Sequence, residues 1–117
     1  VLGRCHRDLD FTLYEYFLSD KAGHTGNHAV IETELVKMDA FMTGLFEELE
    51  DELAAGTLVL LTSDHGNLED ATTRRHTRNP VPLMAWGDGA REFVEPVTGL
   101  DQVAGAIAGR HGIRHGL

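Results

Sequence analysis

Between residues 27 and 54 the apolar side chains Ile31, Leu35, Met38, Met42, Leu45, Leu49 and Leu53 recur at steps of three and four. That spacing predicts a single amphipathic helix with one apolar stripe. Glu32, Glu34, Lys37, Asp39 and the acidic residues from Glu47 to Glu52 fill most of the remaining positions. Asn27 is suited to cap its start and Gly56 to stop it. Upstream, the aromatic run 11–18 (FTLYEYFL) predicts a strand that ends at Ser19-Asp20, after which Gly23 and Gly26 punctuate a tight loop. Downstream, residues 57–62 (TLVLLT) are almost continuously apolar, the pattern of a strand buried on both faces of a parallel sheet. Strand, helix and strand in succession predict a βαβ unit. Residues 81–86 (VPLMAW) predict a third strand, with Pro82 at a strand start, an edge or a bulge because it has no amide donor. Thr98-x-x-Asp101 has the form of a capping box and predicts a last helix carrying Leu100, Val103, Ala104, Ile107 and Ala108 on one face. Residues 110–117 are expected to be a loose tail.

These elements place the chain in the α/β class, as a mostly parallel sheet with flanking helices. Three strands and two helices make a thin domain, and the strand 57–62 asks for cover on both faces. The expectation is therefore that residues 1–117 are the C-terminal part of one domain, with the N-terminal part missing; the opening Val1 and the polar stretch 3–8 fit that view. A length of 117 residues allows one domain or a piece of one. The net charge of −9 argues against generic binding to nucleic acid or to acidic membrane surfaces, both of which need concentrated basic surface. No apolar run approaches the roughly 18 residues that a spanning helix needs, and no leader peptide is visible. A single cysteine, Cys5, excludes an internal disulfide and fits a reducing, cytoplasmic setting.

Three short pieces carry the candidate chemistry: Asp20-x-x-Gly23-His24-Thr25-Gly26, Asp64-His65-Gly66-Asn67, and His76-Thr77-x-Asn79-Pro80-Val81-Pro82. Carboxylate and imidazole together are the ligand set of borderline divalent metals such as Zn²⁺ or Mn²⁺. Five candidate ligands, Asp20, His24, Asp64, His65 and His76, exceed what one tetrahedral ion takes from protein, which suggests two metals sharing a site. In open α/β sheets such groups sit beyond the carboxyl ends of strands, where Asp20 with His24 and Asp64 with His65 are expected. Two ions about 3.5–4 Å apart form a clamp suited to phosphoryl transfer. Arg74, Arg75 and Arg78 can fork onto phosphate oxygens, and Asn67 can donate a hydrogen bond nearby. Simpler readings stand beside these. A lone Asp-His pair after a strand is more often a turn or a cap than a ligand. The arginine cluster can equally be a surface patch or an interface. His28 is expected in an exposed first helical turn, and His6, His111 and His115 are expected to be solvated. Thr62 and Ser63 shape the end of a strand, and Glu69 and Asp70 read as loop surface, with extra ligands the alternative.

The three motifs in this order resemble the C-terminal part of cofactor-independent phosphoglycerate mutases, within the alkaline phosphatase superfamily of metalloenzymes. The resemblance runs from about residue 11 to residue 87. It implies an alkaline phosphatase-like fold. It implies Asp20, His24 and His76 as ligands of one metal, and Asp64 and His65 as two ligands of a second. In that family the second metal is completed by an aspartate and a nucleophilic serine or threonine near the N-terminus. No residue here matches that segment, so this chain alone is expected to be inactive. The segment between Asn67 and His76 is also shorter than mutases usually show. The implied function is the metal-binding part of a phosphomutase-like or phosphatase-like enzyme acting on a small phosphorylated metabolite, with two Mn or Zn ions. The alternatives are a non-catalytic metal-binding or assembly module, and a sulfate or phosphonate ester hydrolase on the same scaffold. Self-association, or pairing with the missing N-terminal part, is the expected macromolecular contact.

Overall fold

A computed structural model describes residues 2–112. Its elements in chain order are α1 (Leu2–His6), α2 (Leu18–Thr25), α3 (His28–Glu48), α4 (Glu50–Ala54), β1 (Val59–Thr62), β2 (Leu83–Trp86), α5 (Ala90–Val94), a 3₁₀ turn (Leu100–Gln102) and α6 (Val103–Arg110). The chain divides into two compact units, one of Val1–Asp51 with His65–Val81 and the other of Glu52–Asp64 with Pro82–Leu117. Among the described residues no helix is long and apolar enough to cross a membrane.

The first unit is organised by α3, against which α1 and α2 pack. Asn27 caps it as expected: its side chain accepts hydrogen bonds from the amides of Ala29 and Val30, satisfying two of the donors that a helix start leaves open. Gly26, at φ 61°, turns the chain from α2 into α3. Among the described residues the buried apolar side chains of this unit are few: Ala22, Ile31 and Leu49. The helical ladder of α3 is interrupted at Leu49, which is buried, and α4 resumes one residue later, so the predicted helix 27–54 is two helices.

Residues 11–16 are not a strand. A strand needs a ladder partner, and among the described residues this run has none. It lies along α3 instead. Tyr14 stacks on Phe41 with ring centroids 5.2 Å apart. Tyr16 donates its hydroxyl to Glu34 Oε2 at 2.9 Å, and Lys37 reaches Glu34 Oε1 at 2.6 Å. Those two contacts hold the buried Glu34 carboxyl below its ordinary pKa, Lys37 contributing most. Thr12 is half-buried, while Leu13 at 75% exposure and Phe17 at 64% stay in solvent. Residues 18–25, expected to finish the strand and form a loop, are the helix α2.

In the second unit β1 and β2 pair antiparallel, with Val59 opposite Trp86 and Thr62 opposite Leu83. This corrects both the parallel sheet and the βαβ unit. The 20-residue connection between the strands allows the chain to return in either direction, and four apolar residues carry no information about which. Nor is β1 fully covered: Val59, Leu60 and Leu61 are half-buried and Thr62 is exposed. Pro82 precedes β2, and its carbonyl accepts the Thr62 hydroxyl. Gly87, at φ 111°, ends β2 where a side chain would run into the Thr57 carbonyl. Phe93 on α5 is buried. The last helix also differs from expectation. Thr98 donates its amide and hydroxyl to Gln102 Oε1, not to Asp101, and a 3₁₀ turn precedes α6. Arg110, expected in a loose tail, is inside α6 and donates to the Gly56 carbonyl at 2.6 Å; residues 113–117, including His115, lie outside the described residues.

Candidate metal centre

The first unit gathers four of the sequence-predicted residues around one oxygen. Asp20 and His24 stand one turn apart on α2, the spacing that puts two side chains on one helix face. His65 and His76 come from a loop whose ends are tied by a single antiparallel bridge, Gly66 with Thr77, closed by the Thr77 amide on the Gly66 carbonyl at 2.8 Å. Asp20 Oδ1 lies 3.1 Å from His76 Nε2, 3.3 Å from His24 Nε2 and 3.9 Å from His65 Nε2. Asp20, His24 and His76 each offer a ligand atom within 4.8 Å of the others. The His65 and His76 rings stack, with centroids 3.5 Å apart. The side chains of Asp20, His24 and His76 are 39%, 43% and 46% open to solvent, so an ion can reach them.

The hydrogen-bond partners fix how the cluster presents itself. His24 Nδ1 lies 2.6 Å from the Arg74 carbonyl. A carbonyl can only accept, so Nδ1 carries the hydrogen and Nε2 is the atom turned toward Asp20. An imidazole nitrogen in that tautomer and a carboxylate oxygen are both acceptors, and a cation, proton or metal is what joins them. Asn67 holds the carboxylate from behind. Its Nδ2 donates to Asp20 Oδ1 at 2.8 Å and to the Asp20 carbonyl at 3.1 Å. Its Oδ1 is buried and has no partner among the described residues. The amide sits over Gly23, where an added Cβ would come within 2.2 Å of that oxygen. Partial burial pushes the Asp20 carboxyl up, but the Asn67 amide and the neighbouring His24 and His76 outweigh it and leave its pKa lowered.

A second layer of contacts holds the loop. The Glu69 carboxylate accepts from the Thr77 hydroxyl, from Asn79 Nδ2 at 3.0 Å and from the Asn67 backbone N–H at 2.6 Å. The Thr77 hydroxyl leads the contacts that bring the Glu69 pKa down to about 2. Gly66 lies beneath, buried, where a Cβ would meet Thr77 Oγ1 at 2.1 Å and Glu69 Oε1 at 2.5 Å.

The remaining predicted residues are placed differently. Asp64 is exposed and belongs to the second unit, next after β1 and Ser63. Arg74, Arg75 and Arg78 are exposed on the 65–81 loop, Arg74 contributing its carbonyl to His24. Asp70 is used locally, on the Thr72 amide and hydroxyl. His28 and His111 are exposed. Sequence reasoning left Glu69 as loop surface and passed over Thr77 and Asn79. The only local signal was the number of side-chain acceptors and donors packed into one short loop.

A family model described as Metalloenzyme superfamily matches residues 5–115. Similar curated proteins include the 2,3-bisphosphoglycerate-independent phosphoglycerate mutase 1 of Methanocaldococcus jannaschii, 29% identical over 109 residues that are 92% of this chain and 25% of that protein. The 2,3-bisphosphoglycerate-independent phosphoglycerate mutase of Vibrio vulnificus is 36% identical over 93 residues, 74% of this chain and 18% of that protein. That of Wolinella succinogenes is 33% identical over 113 residues, 92% of this chain and 22% of that protein. The chain thus spans a quarter or less of the length of these relatives. No solved structure matches.

Proposed function

The chain belongs to the Metalloenzyme superfamily, and from that premise we propose that it supplies part of the metal centre of a phosphoryl-transfer enzyme. The proposed substrate is a small phosphorylated metabolite, as the mutase names of its relatives suggest. Asp20, His24 and His76 would hold one divalent ion, Mn or Zn. Asp64 and His65 would contribute to a second, together with groups outside these residues, among them a serine or threonine nucleophile. The observation that carries the reading is the convergence of His24 Nε2 and His76 Nε2 on Asp20 Oδ1, with His24 Nδ1 already committed to a carbonyl. One carboxylate with imidazoles is a donor set that fits a borderline divalent cation.

When bound, such ions neutralise charge that builds on a transferred phosphoryl group. The chain's own residues have simpler tasks. Arg74 fixes the His24 tautomer through its carbonyl, and Asn67 fixes the Asp20 rotamer. Arg75 and Arg78, exposed on the same loop, would attract the anionic substrate. The test is elemental analysis of the undialysed chain, followed by Mn²⁺ and Zn²⁺ titration calorimetry of the wild type, Asp20→Asn and His76→Ala. Near one equivalent or more, lost at least hundredfold in affinity in both variants, is expected. A wild-type chain that takes up neither ion overturns the proposal.

A further inference from the structure

We propose that Glu69 is a positioning residue that sets the geometry of the candidate metal centre without touching it. Its carboxylate is committed within the loop: Oε2 accepts from the Asn67 backbone amide, and Oε1 from the Thr77 hydroxyl and Asn79 Nδ2. These donors lie at both ends of the 65–81 loop. Through the Asn67 amide, Glu69 fixes the residue whose side chain grips Asp20. Through the Thr77 hydroxyl, it fixes the residue next to His76 and reinforces the bridge to Gly66, the neighbour of His65. One carboxylate therefore ties together the three loop positions, 65, 67 and 76, that meet Asp20.

The close packing over Gly66 points the same way. Glu69 Oε1 and Thr77 Oγ1 fill the space where any other residue at position 66 would carry its Cβ. Neighbouring Asp70 serves as an internal comparison. Its side chain spans two residues, to Thr72, and bonds none of the positions around Asp20; its one tie there, backbone amide to the Asn67 carbonyl at 3.3 Å, is kept when the side chain is truncated. Loosening the loop at Asp70 and unclamping it at Glu69 are thus separable perturbations.

Two measurements on the whole chain test the assignment, comparing the wild type with Glu69→Gln and Asp70→Ala. The first needs no metal: amide exchange at Thr77, and the NMR contact between the His65 and His76 rings. Glu69→Gln is expected to speed Thr77 exchange at least tenfold and to abolish the ring contact. Asp70→Ala is expected to leave both within about threefold of wild type. The second measurement rests on the metal-binding reading, and uses Mn²⁺ affinity by calorimetry with the Mn²⁺ paramagnetic resonance spectrum as signature. Groups that orient metal ligands typically carry 10–100-fold in affinity. A loss in that range with an altered spectrum is expected for Glu69→Gln, beyond any loss in Asp70→Ala. Wild-type Thr77 protection and ring contact in Glu69→Gln, or equal effects from the two substitutions, overturn the inference. A wild-type chain that binds no Mn²⁺, with Thr77 exchange accelerated in Glu69→Gln, would sink the metal reading and leave the clamp standing.

Discussion

Replacing Gly23 with alanine should destabilise the protein, against the ordinary preference of helices. Gly23 lies inside α2, and alanine in a helix interior is favoured over glycine by about 1 kcal/mol. Here the new methyl would fall 2.2 Å from Asn67 Oδ1 and 2.4 Å from its Cγ, so the buried amide must move. Moving it breaks two hydrogen bonds to Asp20. A bond to a charged group contributes about 1.5 to 3 kcal/mol and one to a backbone carbonyl about 1 kcal/mol. The Asp20 side chain is 39% exposed, so water replaces part of the loss and the lower value applies. Two bonds lost against the propensity gained leave a net destabilisation of about 1.5 kcal/mol. With a urea slope of 1–2 kcal/mol per molar, the unfolding midpoint of the metal-free chain should fall by about 1 M. Gly44 on α3 is the control: nothing lies within 4 Å of its added Cβ, so Gly44→Ala should gain up to about 1 kcal/mol. Truncating the neighbour should remove the clash, so Gly23→Ala combined with Asn67→Ala should be no less stable than Asn67→Ala alone. A Gly23→Ala protein that matches or exceeds wild type, or effects of the two substitutions that simply add, would refute the reasoning.

Three other outcomes follow from the same contacts. Glu69 has a folded pKa near 2 against an ordinary value of 4.5, so its stabilisation is fully present above about pH 4.5 and is lost as pH falls toward 2; acid unfolding curves of Glu69→Gln should lose that part of their slope. Asn27→Ala removes the cap of α3 and should lower stability by about 1 kcal/mol in urea unfolding, without altering Thr77 exchange. Gly87→Ala meets both a φ of 111° and the Thr57 carbonyl at 2.1 Å, and should cost at least about 2 kcal/mol, read as loss of exchange protection in β1 and β2.

What could be read along the chain was what depends on near neighbours. The Asn27 cap and the helix it opens are set within a few residues, and both were legible. The run 11–18 misled because strand propensity describes a fit to a pleated neighbour, and no neighbour is encoded in the run itself. Gly23 and Gly26 looked alike as turn signals, yet only Gly26 has the left-handed backbone; Gly23 is helical and small because an amide 44 residues away in sequence needs its space. Asp20, His24 and His76 could be picked as ligand types, but the grip of Asn67 on Asp20 spans 47 positions and has no local trace. The same holds for Glu69, whose partners at 77 and 79 become neighbours only once the loop has closed.

The packing over Gly66 carries a consequence for how this loop can change through descent. Position 66 admits a side chain only if the hydroxyl at 77 and the carboxylate at 69, which fill the space above it, move aside. A lineage that substitutes Gly66 must therefore displace the Thr77 and Glu69 side chains, and with them the clamp. Positions 66, 69 and 77 are thus inherited together: a side chain gained at 66 disturbs the clamp unless 69 or 77 has already changed.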